Sequence, residues 1–392
     1  MWVETSLSFE EQIKSPLKIG KHIAWNRFVW WGMWSGVSTW PLVWEIANQD
    51  GIGTLSSAGL YMLSQYKYLL DDALLQAEKI QNPIPENIKT EIYRQVQLEC
   101  IRLEVTKAKK LANGKWLVFM NFLFALESFD EQVLAACKAG VDWIVSGAGI
   151  AWNLPKITKD YPNVAIGIML SDPKWIGTVI KKYLKDHGRT PDFFIFEDPN
   201  VAAWHLWVRD LEKIPNTNLS LSNSIPEAKR LMQEMWYNIP IIWAWGIANN
   251  NQATKTLSYW ADAVQLWTRL LASKESWAHD NFKQAVVNSS LDDIITWMSS
   301  VWLPARWLRQ SPILERMQRI VAKERKCIED CLIRCWFRDG IKELAQMCIL
   351  RQLIASTQWS NWNWLMFAGK IAAEIHDILS VKQIMRNVLT AA

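Results

Sequence analysis

Three short segments put small, hydroxyl-bearing and glycine residues directly after apolar runs, where a ligand is easily held. They are WGMWSG (31–36), AWGIAN (244–249) and QLWTR (265–269). Turns of this kind normally expose backbone N–H groups at the start of the following helix, and such groups make a ready site for a phosphate. Two of them on successive runs are a better sign of a phosphate than either alone. Here, however, tryptophan stands in each turn at Trp31, Trp34, Trp245 and Trp267. An indole cannot take up without strain the positive φ angles that glycine supplies at such turns.

Composition makes this general. The 392 residues include 26 Trp and 16 Gly, whereas ordinary usage of glycine would give about 27 in a chain of this length. Tryptophan also stands where local chemistry asks for glycine in AWHLW (203–207), SYWADA (258–263) and SNWNWL (360–365). Reading a UGA codon as tryptophan, where its source reads it as glycine, would write many glycines as Trp. The alternative is a protein that is truly rich in tryptophan. The codon at each Trp separates the two.

The elements that must position these turns recur along the chain. Apolar, β-branched runs lie at 27–30, 52–57, 116–121, 142–147, 164–170, 192–198, 239–244 and 262–267. Between most of them are amphipathic stretches with helical spacing, such as 129–140, 173–188 and 225–236. Strand and helix in alternation imply parallel β-structure with crossovers. Eight such units predict an α/β fold, a (β/α)₈ TIM barrel, with its active site at the carboxyl ends of the strands. Residues 60–112 interrupt the rhythm as a helical insertion. Together they and the eight units make a barrel domain spanning 1–275. Residues 276–366 read as a small helical domain, and 367–392 as a C-terminal helix packing back on the barrel.

The bulk properties exclude several classes. Forty-three basic and 39 acidic residues leave a net charge of +4 with no long basic block, so neither nucleic acid nor an anionic membrane is called for. The N-terminus lacks a secretory pattern and no apolar run approaches a membrane span, which predicts a cytoplasmic protein. Six unevenly spaced cysteines read as reduced thiols. Cys327, Cys331 and Cys335 would share one helix face, and three packed thiols are a better account of them than a metal site.

With glycine in place of tryptophan, residues 29–38 resemble the GGMG-containing segment that opens the nitronate monooxygenases, formerly 2-nitropropane dioxygenases. The resemblance continues through DGIGTLSS (50–57), AGVDWIVSGAG (139–149), AAWHLWV (202–208) and WAWGIANN (243–250). It runs on through YWADAVQLWTRLLASKES (259–276) and WLMFAG (364–369), in family order.

The resemblance implies an FMN-dependent (β/α)₈ enzyme. Gly32 and Met33 would lie against the flavin ring, while Asn121 and Gln265 would hydrogen-bond it. Backbone groups of Trp245, Gly246, Trp267 and Thr268, with the Thr268 hydroxyl, would cradle the FMN phosphate. His205 would face the substrate side as general base or hydrogen-bond donor, since imidazole titrates near neutrality. The implied partners are a nitronate or similar small anion and O₂ or NAD(P)H, and a homodimer is compatible with it. Within the same fold, an NAD(P)H-dependent enoyl-thioester or quinone reductase is the alternative. A non-catalytic barrel or a decayed gene is the alternative from another class. Trp204, Trp245 and Trp267, taken literally, place indoles where flavin and phosphate need bare backbone.

Overall fold

Each of the eight apolar runs forms a strand, because parallel strands are buried on both faces and therefore read as continuous apolar sequence. The strands are β1 Phe28–Trp30, β2 Thr54–Ser56, β3 Phe119–Leu123, β4 Trp143–Gly147, β5 Ala165–Leu170, β6 Phe193–Glu197, β7 Ile241–Ala244 and β8 Ala263–Leu266. A computed structural model describes residues 11, 15–30, 32, 36–204, 208, 210–216, 218–299, 303–311, 327, 331–339, 348–359 and 365–390.

All neighbouring strands are parallel, in the order β1-β8-β7-β6-β5-β4-β3-β2. The ring closes between β1 and the residue leading into β2. Trp30 N donates to Ile52 O at 2.7 Å and Ile52 N to Phe28 O at 2.9 Å. The result is a (β/α)₈ barrel. Its interior is filled by side chains, with Trp143 stacked on Phe119 at 3.7 Å between ring centroids.

Three acidic residues set the register of the closing strands. Asp142, Asp192 and Asp262 precede β4, β6 and β8, and their carboxylates accept from the backbone N–H of Val118, Ile166 and Ile241 at 2.7, 2.8 and 2.7 Å. Lys109, Arg189 and Lys229 pair with them in turn.

The helices Lys67–Ile80 and Glu86–Ala112 join β2 to β3. The second packs against Trp40–Ala47 and Phe129–Lys138 and so serves as the crossover helix of this unit. At the other end of the chain, Val381–Leu389 packs against Trp40–Ala47 and Asn250–Ser258, with the Asn250 amide bonded to Val388 O at 3.0 Å. No helix among the described residues is long and apolar enough to cross a membrane.

Two expectations are corrected. The region after residue 275 is not purely helical, since Ile294–Met298 and Pro304–Leu308 form an antiparallel hairpin. Its β-branched and aromatic residues pair across the strands, and Pro304 stands at a strand start, where a missing N–H is tolerated. The second is the shared helix face of Cys331 and Cys335. Leu332 instead bridges Leu126, and the next helix begins only at Trp336. Pairing with the loop after β3 competes there with helix formation.

Candidate active site at the carboxyl ends of the strands

The turn after β1 begins at Gly32, where a Cβ would come within 2.3 Å of Thr54 O and 2.4 Å of Leu55 O. Glycine is required here because the chain presses against the backbone of β2. Met33 and His205 lie outside the described residues, as do Trp31, Trp34 and Trp207.

On β3, Asn121 is buried and its Oδ1 has no hydrogen-bond partner. The same holds for Oε1 of Gln265 on β8 and for Oγ1 of Thr268 just beyond it. Buried polar atoms are nearly always satisfied, by protein, water or ligand. Three unsatisfied ones at the carboxyl ends of the strands suit the polar edge of a bound cofactor. Asn121 and Gln265 do not stand side by side, since β1 and β2 lie between their strands.

The turns after β7 and β8 behave differently. Trp245 has φ of +80° and is buried, its indole N–H donating to Glu197 Oε1 at 2.6 Å. Its ring packs against that of Trp267 at 5.2 Å. Gly246 follows with φ of +74°. Gly369 lies close by, and a Cβ on it would meet Val201 O at 2.7 Å and Trp245 Cε3 at 3.4 Å. Two buried indoles thus stand where a phosphate would need bare backbone. The polar ring-side atoms fit a flavin, whereas the phosphate side of the chain as written does not.

The helix after β7 also departs from expectation. It starts at Asn250 and carries its own capping box, in which Gln252 N donates to Asn249 Oδ1 at 3.1 Å. Gln252 Oε1 in turn accepts from Ala248 N at 2.7 Å and Asn249 N at 3.2 Å.

On the opposite side of the mouth lies a cavity of about 1000 Å³. Ala58 and Gly59 after β2, Phe124 after β3 and Ala148 after β4 line its floor. Met298 of the hairpin and Leu353 of the helix Ile349–Gln358 line it further out.

Residues that the sequence pattern did not single out complete the site. Asp198 is buried beyond β6, and that burial pushes its carboxyl above the ordinary range. Arg306, on the second hairpin strand, is 2% exposed and depressed to about 10, chiefly by burial. Its Nη1 donates to Ala202 O and its backbone N to Ala203 O, both at 2.6 Å. Arg306 thereby fixes the backbone just before His205 in the chain. The carboxylates of Glu197 and Asp198 at a strand end were a readable signal, but nothing in the sequence near Arg306 announced its role.

The model of the nitronate monooxygenase family matches residues 19–391. The chain belongs to that family. Its members are flavin-dependent oxidoreductases. Among curated protein sequences none matches this chain. In fold, it is similar to FabK from Thermotoga maritima, with a TM-score of 0.65 at 18% identity over 93% of this chain and 91% of that one. It is similar also to nitroalkane oxidase from Streptomyces ansochromogenes, with a TM-score of 0.64 at 14% identity over 93% and 94%. A third is the enoyl reductase domain of MlnA from the macrolactin biosynthesis cluster of Bacillus amyloliquefaciens, with 0.60 at 13% over 89% and 88%. At such identities these likenesses speak to the fold, and the function must be argued from the site.

Of the remaining histidines, His22 bonds Asn163 O at 2.7 Å and His279 caps the helix Asp280–Val287. His187 lies in the last turn of the helix Trp175–His187.

Proposed function

We propose that the protein is an FMN-dependent nitronate monooxygenase, oxidising an alkyl nitronate with O₂ to a carbonyl compound and nitrite. The observation that carries this reading is the set of unsatisfied buried side chains, Asn121, Gln265 and Thr268, in a chain of this family. FMN, when bound, supplies the redox chemistry. The chain supplies position. Asn121 and Gln265 would orient the ring, and the turns at 245–246 and 267–268 would hold the phosphate once the indoles are absent. His205 would take a proton from neutral nitroalkanes. A nitronate has already lost that proton, so His205→Asn is expected to slow nitroalkane turnover far more than nitronate turnover.

A second reading is an NAD(P)H-dependent reductase of the enoyl-thioester or quinone type. The cavity favours it, since about 1000 Å³ lies at the upper end of the roughly 300–1,000 Å³ that accommodates drug-sized ligands. A short alkyl nitronate would leave most of it empty. Anaerobic addition of NADH, NADPH or a nitronate to flavin-loaded protein decides between the two. Bleaching by the nitronate alone supports the monooxygenase, and rapid bleaching by NAD(P)H alone overturns it. Failure of protein with glycine at 245 and 267 to bind flavin would sink both.

A further inference from the structure

We infer that Trp236, Trp245, Trp260 and Trp359 stand at glycine positions, and that the working protein carries glycine there. Seven described non-glycine residues have φ in the left-handed region: Asp50, Asn113, Ala148 and these four tryptophans. Asn and Asp visit that region with local hydrogen-bond help. Bulky residues rarely do. Tryptophan makes up 26 of the 392 residues, far too few to supply four of seven such positions by chance placement.

The barrel contains its own controls, because its helices stop by the same turn before the next strand. Before β4 the turn is at Gly140, with φ of +89°. Gly140 N donates to Cys137 O at 3.0 Å and Val141 N to Ala136 O at 3.1 Å. Before β7 it is at Trp236, with φ of +61°. There Trp236 N donates to Gln233 O at 3.0 Å and Tyr237 N to Met232 O at 2.9 Å. Spacing and bonding are the same, and this is the helix stop that favours glycine.

The turn before β8 repeats the logic at the level of sequence. Gly140-Val141-Asp142 and Trp260-Ala261-Asp262 each place an aspartate whose carboxylate accepts from the preceding strand, at 2.7 Å in both cases. Trp260 has φ of +67°. Gly188, with φ of +65°, ends the helix Trp175–His187, and Trp359, with φ of +52°, ends Ile349–Gln358 by the same i to i−4 bond.

At two of the four positions packing does not compensate for this strain, since Trp236 is 95% exposed and Trp260 is 65% exposed. Those two turns ask for a residue without Cβ and gain nothing from the indoles, whereas Trp245 is buried against Trp267 and Trp359 stacks on His279 at 5.4 Å. One decoding difference, a UGA codon read as tryptophan where glycine is meant, accounts for all four positions together.

The test is thermal unfolding of the full chain with Trp236→Gly and Trp260→Gly, beside Trp297→Gly as control. Trp297 is 55% exposed but lies in a strand, where glycine is unfavourable. The first two are expected to raise the midpoint by about 2 °C each, and the control to lower it. Alanine at 236 and 260 should recover less than glycine, because it keeps a Cβ. A fall in midpoint at 236 and 260 like that at 297 would overturn the inference. The gene offers a second measurement that needs no folded protein. UGA at all four codons supports the inference, and UGG at these positions overturns it. Neither measurement involves flavin, so their outcome is separate from that of the proposed activity.

Discussion

The two sides of the barrel mouth are built from the same kind of strand end, yet one is open and the other is filled. After β2, β3 and β4 the chain continues as Ala58, Phe124 and Ala148, and a cavity of about 1000 Å³ lies above them. After β7 and β8 it continues as Trp245 and Trp267, both at most 3% exposed, while Trp204, further along the loop after β6, lines the cavity. Trp204 stacks on Phe367 at 4.8 Å and Trp245 packs on Trp267 at 5.2 Å. The barrel fixes where a site must lie, and the volume of two turn residues fixes how much of it is available.

Emptying the filled side should have the largest effect. Replacing Trp245 and Trp267 together by glycine is expected to strengthen FMN binding by about 100-fold or more, equivalent to about 3 kcal/mol. Titration followed by flavin fluorescence measures it. Equal affinity in both proteins would show that the indoles do not compete with the cofactor.

Filling the open side should act on the substrate instead of the cofactor. Met298→Trp narrows the cavity with a residue that a flexible neighbourhood tolerates. In flavin-loaded protein it should raise KM about tenfold, worth about 1.4 kcal/mol, while leaving FMN affinity unchanged. An effect on flavin and none on KM would place the substrate elsewhere.

Arg306 links the two sides, because the hairpin that carries it also contributes Met298 to the cavity. Arg306→Met removes a charged donor from the buried Ala202 carbonyl and should cost about 1.5–3 kcal/mol in urea unfolding. Lysine at 306 should recover part of that loss.

A pH-dependent effect is expected behind the open side. Glu104 is fully buried and accepts from Tyr66 Oη at 2.6 Å, Gln65 Nε2 at 2.8 Å and Trp40 N at 2.9 Å. Burial nevertheless holds its carboxyl above the ordinary range. A carboxyl whose folded value is raised contributes stability fully below its unfolded value, and loses it as pH rises through the folded value. The stability of the parent relative to Glu104→Gln should therefore decline as pH rises from the ordinary carboxylate range. The slope is at most about 1.4 kcal/mol per pH unit. A difference that grows with pH would reverse the assignment.

Much of the fold was legible for a simple reason. Residues such as Val164–Leu170 are buried on both faces of a parallel sheet, so their sequence is uninterruptedly apolar. The hairpin at 294–308 was not legible, because its first strand is only partly buried and its pairing depends on a strand ten residues away. The glycine turns were legible as anomalies of composition at Trp245 and Trp260. Trp236 and Trp359 were not, because a helix end is marked in sequence only when the residue there is the expected one.

The number and order of the barrel units, and the unusual turns that follow β1, β7 and β8, could be read from the chain alone, since hydrophobic pattern and turn chemistry are local. Only the tertiary structure decided which polar atoms are left unsatisfied, that Arg306 reaches the loop after β6 from about a hundred residues away, and that four indoles sit on left-handed backbone. Those facts depend on what surrounds each residue in space, and a dihedral sign or a buried contact leaves no mark on the residue's own identity.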